Sequence, residues 1–207
     1  MTFGDTPDEH LYTQQTSPYF RAPHIYVAIG ACFMLNRQVL TKEQANKLKV
    51  DPGYFKDVSD AIFMTSRGGN GYERPFMESF IRPGIGLNNW ISRTNYPALN
   101  VIQTGTEEMS IYLNQDYTQP SAHLHRYSLR LDGFTSISAP YAGGTVTTKP
   151  FTFSGKKLEI NYSTSAAGEI RIEIQDPDGN PITGYTKEES QLLIGNEIER
   201  IVSWNRT

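Results

Sequence analysis

The chain has little of what would place it in several large functional classes. It holds one cysteine, Cys32, so neither an internal disulfide nor a thiolate metal cluster can form within it. Flanked by Ala31 and Phe33, that cysteine reads as a small buried hydrophobe. There is no run of the about eighteen apolar residues that a membrane-crossing helix needs. Like charges are not gathered into blocks: 19 Lys and Arg stand against 22 Asp and Glu, a formal net charge of −3. Nothing here would neutralise a run of phosphates or grip an anionic membrane, so neither nucleic acid nor membrane is expected as a partner. The opening residues, MTFGDTPDEH, are acidic and polar where an export signal is basic and then apolar. The chain as it stands is therefore expected to be soluble and not exported; with a longer natural gene and an upstream signal, it would be periplasmic or secreted.

What the 207 residues do have is a globular composition, 38% hydrophobic and 20% charged, laid out as short β-type runs between Gly, Pro, Asn and Asp. Residues 11–13 and 24–30 read as strands around a turn at Ser17-Pro18-Tyr19 and Ala22-Pro23. From 40 to 49 the text becomes polar and helix-tolerant, a loop insertion with a short helix capped by Thr41 and ended by Asp51-Pro52-Gly53. Residues 60–65 form a strand, 66–71 a glycine-rich turn, and Tyr72 onward the returning strand of a hairpin. Further strands are expected over 98–103, 109–113 and 124–131. Beyond Ser138 to Gly144 the runs 145–148, 151–153, 157–162 and 169–175 alternate with period two, as strands with one wet face do, and 201–204 reads as another. The expected fold class is all-β, with a boundary near residue 141 and an antiparallel β-sandwich after it.

The phrases SDAIFMTSR, MESFIRPG and NYP resemble a blade of the glycosidase-like five-bladed β-propellers, the bacterial proteins related to invertases and arabinanases. KPFTFSGKKLEINYSTSAAGEIRIEIQDPDGNPI and IGNEIERIVSW are similar to the accessory sandwich that follows the propeller in that family. The resemblance covers nearly the whole chain. It implies partial propeller blades over 1–140, a sandwich over 141–207, and a glycoside hydrolase or a fragment of one. Family members have more blades before the position of Met1 and further strands after Trp204, so the resemblance implies a piece with unpaired sheet edges, and self-association to cover them.

Glycoside hydrolysis normally uses two carboxyl groups set about 5 to 10 Å apart across the sugar. Asp60, opening a strand, and Glu78, set among Phe76, Met77 and Phe80, are the best catalytic pair, since an apolar setting raises a carboxyl pKa. Each has a structural alternative, a turn cap for Asp60 and an ion pair with Arg74 or Arg82 for Glu78. Arg67, Arg82 and Arg93 offer forked hydrogen bonds to a sugar or its carboxylate, or else brace acidic side chains. Trp90, Asn95 and Tyr96 add aromatic faces and an amide for sugar binding, or else pack in the core. Asp8, Glu9 and His10 place two carboxylates and an imidazole near the start of another blade.

Other signals fail. Gly68-Gly69-Asn70-Gly71 lacks the Lys-Ser/Thr of a phosphate loop, and the family form has Asp after the Ser-Arg. Asp176-Pro177-Asp178-Gly179-Asn180 misplaces the glycine of a calcium loop and has Lys187 at its twelfth position. His123 and His125 share a strand face without a third ligand, which favours packing. No metal site and no cofactor are expected. Carbohydrate is the expected partner, either of an enzyme or of a noncatalytic binding or structural β module.

Overall fold

The structure, a computed structural model, describes residues 9–205, so Asp8 of the acidic opening lies outside it. Across the described residues the protein is predominantly β, with several antiparallel sheets and one α-helix. It forms two compact units that meet in sequence at Leu129 and Arg130. The change in sequence character near residue 141 falls inside the second unit. Among the described residues no helix is long and apolar enough to cross a membrane.

The first unit is built around two long strands, β3 (Ala22–Met34) and β4 (Val58–Ser66), after two short ones, β1 (His10–Leu11) and β2 (Thr16–Tyr19). The near-continuous apolar runs of β3 and β4 suit strands buried on both faces, and they pair in unbroken register from Tyr26↔Ser66 to Met34↔Val58. β1 and β2 pair with the opposite edge of β3. The expected turn at Ser17-Pro18-Tyr19 is instead strand, and the chain reverses at Phe20 and Arg21. Pro18 is tolerated because β2 pairs on one side only and its missing N–H breaks no second ladder. Between β1 and β2 the chain crosses Gly30 so closely that a Cβ there would lie 2.4 Å from the Thr13 carbonyl oxygen, which only glycine allows.

The hairpin expected after β4 closes only in part. Glu73 bridges Thr65 and Ile81 bridges Ala61, so eight residue steps on the returning chain oppose four on β4, and the intervening residues loop out around Pro75. The helix is as the sequence suggested. α1 (Lys42–Leu48) starts from a capping box in which Thr41 Oγ1 accepts from the Gln44 N–H at 3.2 Å and Gln44 Oε1 accepts from the Thr41 N–H at 2.9 Å. It ends at Lys49 in the left-handed conformation. Its buried Ala45 packs with Leu40, Val50 and Ile91, which anchors the segment leading to Arg93.

A second sheet in this unit centres on β7 (Glu108–Gln115), with β5 (Tyr96–Pro97) and β6 (Ile102–Gln103) on one side and β8 (His123–Arg130) on the other. Met109, Ile111 and Leu113 alternate into its core. Tyr19 Oη reaches Met109 Sδ at 3.6 Å, and Ser59 Oγ donates to the Thr94 carbonyl at 2.7 Å. These contacts tie the second sheet to the first.

Among the described residues the second unit has one two-stranded ladder, β9 (Glu159–Ser163) with β10 (Asn196–Ile201). Tyr162, Leu193 and Val202 form its buried core, with Ile160, Ile170, Ile172 and Trp204 against them. The strands expected over 145–148 and 151–153 are irregular and exposed, since neither finds a ladder to join. The run 169–175 contributes only isolated bridges, Ile170↔Leu193 and Gln175↔Pro181, and the last strand lies at Asn196–Ile201 with Trp204 only bridging Ser190.

Candidate functional site

Alternation along β3 and β4 sends Cys32 and its partner Asp60 to one face of the first sheet, and Phe33 and its partner Ser59 to the other. The candidate site residues divide accordingly. On the Asp60 face, Arg74 is only 3% exposed and donates from Nη1 to Glu9 Oε2 and from Nη2 to the Met77 carbonyl at 2.7 Å. Ser79 Oγ donates to Asp60 Oδ2. Asp60 Oδ1 and Arg74 Nε are buried and have no hydrogen-bond partner among the described residues.

Burial raises the Asp60 pKa above the ordinary carboxyl value, against the lowering effects of the Ser79 hydroxyl and the Arg74 charge; the nearby Glu9 charge raises it further. The same surroundings push the Cys32 thiol up to about 11, through burial first and then the Glu9 and Asp60 charges. Cys32 therefore keeps its proton at neutral pH and is no nucleophile. Chemically this is a closed knot of charge, in which one guanidinium stands among two carboxyl groups.

Glu78 does not join it. Phe76 and Phe80 turn their rings onto Phe63, at 6.1 and 5.3 Å between centroids, and Glu78 between them is exposed. The apolar setting expected for its carboxyl is thus taken up by the core. The hydroxyl of the adjacent Ser79 is the group that reaches Asp60.

The other face carries an open arrangement. The Arg93 guanidinium lies 4.7 Å from the Tyr12 ring centroid, 4.5 Å from that of Tyr54 and 5.8 Å from that of Phe33. Its Nη2 donates to Tyr12 Oη at 3.1 Å. Tyr12 lies against Tyr96 at 5.8 Å, and the Tyr96 and Tyr117 rings are nearly parallel, 14° apart at 6.5 Å. Tyr12 is 50% exposed and Tyr117 40%. Among the described residues no carboxylate pairs with Arg93. Burial raises the Tyr96 pKa, with Tyr12 adding to the effect and Arg93 opposing it, so the Tyr96 phenol stays a neutral hydrogen-bonding group.

The loop that presents Arg93 is held from several sides. Arg93 and Asn95 both have left-handed backbone, at φ 63° and 67°, a costly conformation that persists only where the surroundings fix it. Ile91 is locked against α1, and the Ser92 N–H donates to the Tyr54 carbonyl at 2.9 Å. Asn95, expected as a sugar ligand, is fully buried: its Oδ1 accepts from Gln115 Nε2 at 3.1 Å, so it supports the loop from beneath and is out of reach of a ligand. Trp90 is 36% exposed and spends its indole N–H on the Gly84 carbonyl at 3.1 Å. Arg67, in the glycine turn, and Arg82, after the Ile81 bridge, are exposed and enter neither group of contacts; His10 on β1 is exposed too, and its pairing with Phe33 puts it on the Arg93 face. His123 and His125 lie edge to face at 5.9 Å, and among the described residues no group of His, Cys, Asp and Glu could hold a metal.

Sequence reasoning passed over Tyr54, Tyr117 and Phe33, and took Tyr12 only as part of a strand. No local motif marks them; topology alone gathers them. A narrow cleft near Ser17, Ile29 and Asn100 leaves no room for a water molecule. Comparisons with family models, with curated proteins and with solved structures gave no match.

Proposed function

We propose that the chain is a carbohydrate-binding β module of the glycosidase-like propeller and sandwich type, which binds sugar through the Tyr12, Tyr96, Tyr117 and Arg93 face without hydrolysing it alone. The observation that carries this reading is the half-buried Arg93 guanidinium, whose carbon lies over the Tyr12 and Tyr54 rings with no carboxylate partner among the described residues. Exposed tyrosine rings supply apolar faces to pyranose C–H groups, and phenol and guanidinium edges supply hydrogen bonds to hydroxyls. The test is calorimetric titration with neutral and acidic oligosaccharides. Tyr12→Ala and Tyr117→Ala are expected to lower affinity at least about tenfold with little change in unfolding midpoint. Absence of binding to every glycan would overturn the reading.

A hydrolase reading has one observation of its own, the raised Asp60 pKa with Glu9 across the shared Arg74. In that case Asp60 is the proton donor and Glu9, in place of Glu78, the second carboxylate. Turnover of aryl glycosides that is lost in Asp60→Asn and kept in Glu78→Gln would favour it. No turnover by the parent chain would dismiss it.

A further inference from the structure

We infer that Arg93 makes the aromatic face selective for acidic sugars, so that the ligand class is a uronate-bearing glycan bound through its carboxylate. The inference rests on the carbohydrate-binding reading and adds the chemical class of the ligand. A guanidinium offers five N–H donors in a planar fork. In Arg93 one goes to Tyr12 Oη at 3.1 Å and another, weakly, to Ser92 Oγ at 3.4 Å. The guanidinium carbon lies over the Tyr12 and Tyr54 rings at 4.7 and 4.5 Å, and its remaining N–H groups have no acceptor among the described residues.

Arg74 meets its carboxylate within the chain, in Glu9, whereas Arg93 is half-buried among aromatic rings and has none among the described residues. A cation partly withdrawn from water gains most from an anion that takes two N–H bonds at once, and a carboxylate does so where a single hydroxyl cannot. The left-handed backbone at Arg93 is held by the Ile91 core contact and the buried Asn95, and the rings its guanidinium lies over, Tyr12 and Tyr54, in turn meet Tyr96 and Tyr117. A uronate ring lying on those tyrosines would carry its carboxylate toward the remaining N–H groups.

The experiment is calorimetric titration of the full chain with galacturonate, glucuronate and mannuronate trimers, each beside its carboxyl-reduced neutral counterpart, at low and high salt. At least one acidic trimer is expected to bind about tenfold or more tighter than its neutral partner, with the advantage shrinking in high salt. Arg93→Gln is expected to bring the ratio to about one, and Arg93→Lys, which keeps charge but loses the fork, to leave an intermediate ratio. Unfolding midpoints of both variants show whether the face is still built. If neutral trimers bind as tightly as acidic ones, or the advantage survives Arg93→Gln, the inference is overturned while the carbohydrate reading stands. If neither kind binds, both fall together.

Discussion

The two faces of the first sheet handle an arginine in opposite ways. On one, Arg74 is enclosed and meets Glu9, with Asp60 and Ser79 completing a closed group. On the other, Arg93 is stacked among aromatic rings and left open at its edge. A closed ionic group contributes to holding the local structure in place, because removal of one member strands the rest in low dielectric. An open cation costs the fold little to lose and is available to a ligand. Adjacent residues on each strand, Cys32 beside Phe33 and Ser59 beside Asp60, thus serve the two faces differently.

The largest effect is expected at Arg74. Arg74→Met should cost about 3 kcal/mol in urea denaturation, since Glu9 and Asp60 then face each other without their cation. Next comes the buttress of the open face: Thr41→Ala removes the helix cap and should cost about 1 kcal/mol, and it should also weaken sugar binding through Ile91. Arg93→Gln should cost under about 1 kcal/mol, because stacking at a half-exposed site is worth little to the fold. A stability loss at Arg93 equal to that at Arg74 would erase the distinction between the faces.

The smallest effect is in pH dependence, and its sign separates the closed face from the second unit. Asp60 has its folded pKa raised by burial, so its contribution favours the fold below the ordinary carboxyl value and is lost as pH rises through the raised one. Asp176 and Glu189 are lowered, Asp176 by the Asn180 backbone N–H and side chain and Glu189 by the Thr186 backbone N–H and hydroxyl. Their contributions are present above the ordinary value and are lost as pH falls. Carboxyl NMR titration should place Asp60 above, and both others below, their ordinary values; Asp60 titrating with the others would remove the evidence of a closed group.

Much of the fold was legible where local sequence decides. The apolar runs of β3 and β4 and the Thr41 cap sit where the sequence puts them. Pro18 misled because a proline reads as a turn until the strand is known to lie at an edge. The runs 145–148 and 151–153 misled in the other direction. Their alternation shows a strand-compatible pattern, but Phe151 and Phe153 are exposed because no neighbouring strand accepts them. In the site, Asp60, Arg93 and Tyr96 were legible as chemical types. Their separation onto two faces was not, because it depends on β3 and β4 register and on contacts such as Arg74 with Glu9, 65 residues apart, and Arg93 with Tyr12, 81 apart.

Amide and side-chain NMR during titration with an oligosaccharide that binds shows which face of the first sheet meets the ligand. Perturbations are expected at Tyr12, Arg93, Tyr96 and Tyr117, with the Cys32, Asp60 and Arg74 signals unmoved. Perturbations centred on Asp60 and Arg74, with the tyrosine face silent, would contradict the account.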